Sequence, residues 1–71
     1  MAKEKYISLN AMDKLMRKAG AIRVSEDAKQ ALAEVLEEKA LELGALAKRM
    51  AEHAGRRTVT GKDVQLALKN E

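Results

Sequence analysis

SEDAKQALAEVLEEKALELGALAKRMAEHAG, residues 25–55, decides how this chain folds. Ser25 is a helix-capping residue, and Glu26 and Asp27 put negative charge in the first turn, where the helix dipole favours it. From there to about residue 52 only Gly44 weakens the helix, by about 1 kcal/mol relative to alanine. Gly55 then offers a left-handed stop. At 1.5 Å per residue the helix is about 40 Å long. A compact chain of this length has a radius of gyration of only about 11 Å, so the helix overhangs any core its own chain can form. Ala28, Leu32, Val35, Leu36, Ala40, Leu43, Leu46, Ala47, Met50 and Ala54 lie within an arc of about 140° along its whole length, broader than the stripe of an ordinary surface helix. Two short flanking helices cannot cover that arc. A second copy crossing over its middle can, and Gly44 suits a close approach near the crossing. Lys39 falls inside the apolar arc and Leu41 lies opposite it; neither fits the pattern.

Working outward, Leu9, Met12, Leu15 and Met16 recur at helical spacing after the capping residues Ser8 and Asn10. This predicts a first helix over about 8–18, which Gly20 ends. Ala21-Ile22-Arg23-Val24 is a short extended link. Beyond the long helix, Arg56-Arg57-Thr58-Val59 is a second link. Thr60-Gly61-Lys62-Asp63 resembles a capping box with Asp in place of Glu, opening a third helix over about 61–69. The expectation is a single all-α domain, residues 1–71, in the order short helix, long helix (about 26–52), short helix. No internal repeat or interdomain linker is evident.

Composition agrees with an all-helical chain. There is no Pro, Cys, Trp or Phe in the 71 residues, and one Tyr; Ala, Leu, Glu and Lys dominate. So small a domain is marginal alone and leans on disulfides, metal or oligomerisation. Without Cys and with one His, disulfides and a zinc site on His and Cys ligands are excluded, so oligomerisation is expected. No apolar run reaches the roughly 18 residues of a membrane span, and the first residues lack the apolar core of a signal peptide. A soluble intracellular protein without cofactor, metal or small-molecule substrate is expected.

The net charge of +3 is unevenly spread. Residues 1–23 carry +4, residues 24–53 carry −3 and residues 54–71 carry +2. Both ends are basic and the middle is acidic, which points toward a polyanionic partner.

These features together resemble a known family. The segments Arg17-Lys18-Ala19-Gly20-Ala21, Arg23-Val24-Ser25-Glu26-Asp27-Ala28, Leu36-Glu37-Glu38 and His53-Ala54-Gly55-Arg56-Arg57-Thr58-Val59, followed by Asp63, are similar to the histone fold. The resemblance is to the minimal, tail-less histones of archaeal nucleosomes. It implies an intertwined handshake dimer in which the long helices cross and the first link of one chain lies beside the second link of the other. It also implies double-stranded DNA as the partner, held mainly through phosphates, and a chromosome-associated cytoplasmic protein.

The resemblance assigns residue roles. Arg23 matches the arginine that enters the minor groove, where width rather than base identity is read. Lys14 and Lys18 lie on the first helix; Lys14 matches a DNA-facing position where Arg is common, though Lys lacks the planar fork, and Lys18 is expected to add non-specific attraction to DNA. Arg57 and Thr58 match a pair that holds phosphate, and Ser25 presents a helix N-terminus to phosphate. Arg56 matches an arginine paired with the aspartate at Asp63, fixing the second link. Met50, His53, Asp63 and Leu66 match the surface where dimers meet as tetramers through a four-helix bundle, which leaves Asp63 between Arg56 and His53. Lys39 replaces a usually apolar residue near the helix crossing, and Tyr6-Ile7-Ser8-Leu9 replaces an apolar-Pro opening. A lone His without a nucleophile or an acid partner excludes an enzyme reading. The leading expectation is an architectural histone that bends, wraps or compacts DNA with little sequence specificity. The alternative is a histone-fold heterodimerisation subunit of a transcription or repair complex.

Overall fold

In the computed structural model, which describes residues 6–71, three helices follow one another: α1 (Leu9–Lys18), α2 (Glu26–His53) and α3 (Gly61–Lys69). No strand occurs among the described residues, so the chain has the all-helical, short–long–short order of a histone fold. The basic Lys3 and Lys5 lie outside the described residues.

Local chemistry sets each helix end. The Ser8 hydroxyl accepts the Ala11 N–H at 3.0 Å and starts α1. Ser25 starts α2: its hydroxyl accepts the Ala28 N–H at 3.2 Å and donates to Asp27 Oδ1 at 2.6 Å. That hydrogen bond holds the Asp27 carboxyl below its ordinary pKa. Both α1 and α2 end in the same way. The Gly20 N–H bonds the Arg17 carbonyl and the Ala21 N–H bonds the Met16 carbonyl. The Gly55 N–H bonds the Glu52 carbonyl and the Arg56 N–H bonds the Ala51 carbonyl. Each is a Schellman motif, which needs a left-handed residue at the turn. Gly20 (φ 111°) and Gly55 (φ 75°) supply it. Gly55→Ala forces a Cβ into that region and is expected to cost about 1–2 kcal/mol, read as a lower urea midpoint at unchanged m-value.

The chain divides into two compact units, one ending at Glu38 and the other beginning at Lys39. In the first, α1 meets the early part of α2 and buries Met12 and Ala33. The carboxylate of Glu37 accepts the backbone N–H of Tyr6 at 2.8 Å and of Ile7 at 3.0 Å, tying the approach to α1 onto α2. In the second, α3 meets the later part of α2 and buries Ala47, Ala51, Ala67 and the carboxylate of Asp63. Lys39 hydrogen-bonds the side-chain carboxylate of Glu71.

Burial along α2 departs from the apolar arc expected of it. Ala33 and Ala51, outside that arc, are buried, whereas Val35 within it is 62% exposed. The short helices approach α2 where its side chains are smallest, because a methyl lets another backbone come close. The bulkier residues of the arc are covered only in part by their own chain: Leu32, Leu36, Leu43, Leu46 and Met50 are half-buried. No large side chain is fully buried among the described residues, and Leu15, Leu68 and Val64 are also exposed. A Cβ added at Gly44 would meet nothing of its own chain.

Candidate nucleic-acid interface

The first link runs from Ala19 to Ser25, between α1 and α2. Its path is braced by Arg17. The Arg17 Nε donates to Asp13 Oδ2 at 2.9 Å, one helical turn back. Its Nη1 donates to the Ile22 carbonyl at 3.2 Å. Lys29, on α2, lies 3.0 Å from Glu26 and 4.0 Å from Asp13, so the same carboxylate also faces a cation on the next helix. The guanidinium thus grips the backbone one residue before Arg23. Arg23 itself is exposed, has no ion pair among the described residues, and lines a shallow open concavity with Met16, Ala21, Val24, Ser25 and Ala28. Lys14 and Lys18 project from α1, exposed and likewise without an ion pair among the described residues. The Ser25 hydroxyl is already donor to Asp27 and acceptor from Ala28. A phosphate reaching that hydroxyl must displace Asp27 and meet two carboxylates in the first turn.

The second link, Ala54 to Thr60, is built on the same plan. Arg56 makes a two-pronged pair with Asp63, Nη1 to Oδ2 at 2.9 Å and Nη2 to Oδ1 at 2.8 Å. Its Nη1 also donates to the Thr58 carbonyl at 2.9 Å. Asp63 is 3% exposed, yet its carboxylate is fully engaged. Oδ2 accepts the Thr60 N–H at 2.8 Å and the Thr60 hydroxyl at 3.1 Å, while that hydroxyl caps α3 by accepting the Asp63 N–H at 3.4 Å. The result is a complete capping box. The guanidinium first, and the Thr60 N–H next, hold the Asp63 carboxyl far below the ordinary carboxylate range, and the same pair raises Arg56. With its backbone held on both sides, Arg57 stands exposed beside exposed Thr58, without an ion pair among the described residues.

In each link, therefore, an arginine neutralised by an aspartate clamps a link carbonyl, and a second arginine with no such partner stands next to it. Polar side chains that would otherwise compete for Arg23 and Arg57 are spent on Arg17 and Arg56. Of the acidic residues of α2 other than Glu37, Glu26 pairs with Lys29, Asp27 accepts from the Ser25 hydroxyl, Glu42 acts on Lys39 and Glu52 lies 3.8 Å from Lys48.

Of the four residues grouped by resemblance at a tetramer surface, Met50 is half-buried, His53 and Leu66 are exposed and Asp63 is buried. Within one chain Asp63 serves Arg56 and Thr60, and His53 takes no part in that network. Among the described residues no group of His, Cys, Asp or Glu is placed to hold a metal, and no helix is long and apolar enough to cross a membrane. Arg17, Glu37 and Lys29 are residues that sequence reasoning left without a role. The Asp13–Arg17 spacing of four was a readable signal; the reach to the Ile22 carbonyl and the capture of the Tyr6 and Ile7 N–H groups had none.

Residues 6–68 match the family described as histone-like transcription factor (CBF/NF-Y) and archaeal histone. Over 58 residues the chain is 62% identical to one of the subunits of archaeal histone HAN1 from Thermococcus zilligii, covering 82% of this chain and 87% of that protein. Over 56 residues it is 48% identical to probable archaeal histone 3 of Methanocaldococcus jannaschii, covering 79% and 84% respectively. With the match spanning both links and all three helices, this chain belongs to the family of histone-like transcription factors and archaeal histones.

Proposed function

We propose that the protein is an architectural histone that dimerises, assembles further into tetramers, and bends, wraps or compacts double-stranded DNA with little sequence specificity. It acts on the chromosome in the cytoplasm, and it is not an enzyme. The observation that carries this reading is the pair of braced links: among the described residues Arg23 and Arg57 are exposed and without an ion pair, whereas Arg17 and Arg56, which clamp the same links, are each paired with an aspartate. A merely solvated surface has no use for that division of labour.

The dimer follows from what one chain leaves uncovered. Small residues make up most of its core, and Val35, Leu15 and Leu68 are more than half exposed. In the handshake arrangement expected of the family, the long helices cross and bury this surface. The first link of one chain then stands beside the second link of its partner, so Arg23, Arg57, Thr58, Lys14 and Lys18 form one basic arc. Phosphate contacts hold the duplex along that arc, and Arg23 enters the minor groove. Ser25 contributes the backbone N–H groups at the start of α2, because its hydroxyl is occupied. Tetramers form through Met50, His53 and Leu66 meeting their counterparts, with Asp63 bracing the surface from within.

Two outcomes test this reading. Arg23→Ala weakens binding to every duplex sequence by a similar factor and lowers the salt slope by about 1 per copy, measured by gel shift across a salt series; unchanged affinity rejects the minor-groove role. His53→Ala leaves the dimer intact but shortens the DNA protected from nuclease, and an unchanged footprint removes the tetramer. A second reading, a heterodimerising subunit of a transcription or repair complex, is favoured by the breadth of the family, which includes transcription factors. Failure to shift random-sequence duplex would select it.

A further inference from the structure

Lys39, which falls within the apolar arc of α2, sits midway along the helix. Thirteen residues of α2 precede Lys39 and fourteen follow it. One and two turns to either side stand Val35, which is exposed, and Leu32, Leu36, Leu43 and Leu46, which are only half-buried by their own chain; Glu42, one turn on, adds a second, weaker negative charge near the ammonium. When two copies of a helix cross at their midpoints about a two-fold axis, residues at the axis meet their own copies. Such a crossing brings Lys39 of one chain toward Lys39 of the other, inside an apolar seam where an unneutralised cation is costly. Each Lys39, however, carries its own counter-charge, since Glu71 of the same compact unit accepts a hydrogen bond from its ammonium. That contact also raises the lysine's pKa, keeping it charged.

We infer that Lys39 and Glu71 form a partner-selecting charge pair at the centre of the dimer seam, admitting a second copy of this chain because each copy arrives already neutralised. A chain with a bare cation there is disfavoured, as single polar residues in helical seams select partners at a cost in stability. The occupant of the seam is a second copy of this chain, so the inference rests on the handshake dimer proposed above.

The test is the dimer dissociation constant of the DNA-free protein, measured by sedimentation equilibrium for wild type, Glu71→Gln, Lys39→Met and the double variant. Glu71→Gln is expected to weaken self-association about tenfold, and Lys39→Met to tighten it by a similar factor. In the Lys39→Met background, Glu71→Gln is expected to change the constant by less than about twofold, because the two substitutions are coupled. Reversing the pair, Lys39→Glu with Glu71→Lys, restores association to within about threefold of wild type and stays informative if Glu71→Gln alone fails to fold. Equal effects of Glu71→Gln in both backgrounds, or no rescue on reversal, overturn the charge pair while leaving the dimer standing. A monomeric wild type overturns the dimer reading itself and the charge pair with it.

Discussion

Replacing Arg23 and Arg57 together by alanine is expected to reduce affinity for duplex DNA about a thousandfold without unfolding the protein. A dimer carries each arginine twice, so four cationic contacts vanish. At about 1 kcal/mol each, a modest value for a charged contact at an exposed site, the loss is about three decades. The salt dependence must fall as well, because each neutralised phosphate contributes about 0.9 to the slope of log K against log salt. Four lost contacts therefore flatten it by about 3.6. Stability should hardly change, since both side chains are exposed and neither has an ion pair among the described residues. The lysine versions separate the two sites. Lysine preserves the point charge but not the flat guanidinium, so Arg57→Lys should recover most binding. Arg23→Lys should recover less, because a narrow groove selects the less strongly hydrated arginine. Gel shifts at several salt concentrations, paired with circular dichroism, decide the matter. An unchanged slope would mean that neither arginine meets phosphate.

Asp63 is where a single substitution should do most damage to the fold. Its carboxylate is buried, gathers Arg56 through two hydrogen bonds, and accepts the N–H and hydroxyl of Thr60. Asp63→Ala removes the acceptor for all four. It leaves a guanidinium without a counter-charge, a helix without half its capping box and the Thr58 carbonyl without a fixed donor. The loss should exceed that of Thr60→Ala, which removes one cap and costs about 1 kcal/mol. DNA affinity should fall too, since the brace beside Arg57 is gone. The effect has a pH signature. The folded-state pKa of Asp63 lies below its ordinary value of 3.8, so the unfolded chain takes up this proton more readily. Stability from the pair is complete above that value and drains away as pH falls below it. Denaturation of wild type and Asp63→Asn at neutral pH and near pH 3 should show the gap between them narrowing in acid. A gap that stays constant would show that the carboxylate's charge contributes nothing.

Much of the helical order can be read from neighbouring residues, because its causes are local. Ser8, Ser25 and Thr60 act within three residues, and Gly20 and Gly55 act through bonds across a single turn. An amphipathic stretch too long for its own chain is likewise visible in the residue pattern. What escapes such reading depends on where distant residues come to rest. Lys39 looks like a defect in the apolar arc until Glu71, 32 positions away, is seen to reach it. Ala33 and Ala51 carry too little apolar surface to stand out, yet small size is why the flanking helices settle on them. In the links, sequence reading distinguishes basic residues by resemblance only. That Arg17, paired with Asp13 at a readable spacing of four, also reaches the Ile22 carbonyl while Arg23 is left open follows from the path of the backbone after Gly20, which no spacing rule contains.

An interlocked dimer, in which two chains cover each other's α2 and bring unlike links together, is open to direct test by sedimentation equilibrium of the DNA-free protein at low micromolar concentration. The expected species has twice the 7.8 kDa chain mass and loses helicity in step with its dissociation on dilution. A fully helical 7.8 kDa species that still binds duplex DNA across the same concentrations would contradict the interlocked dimer.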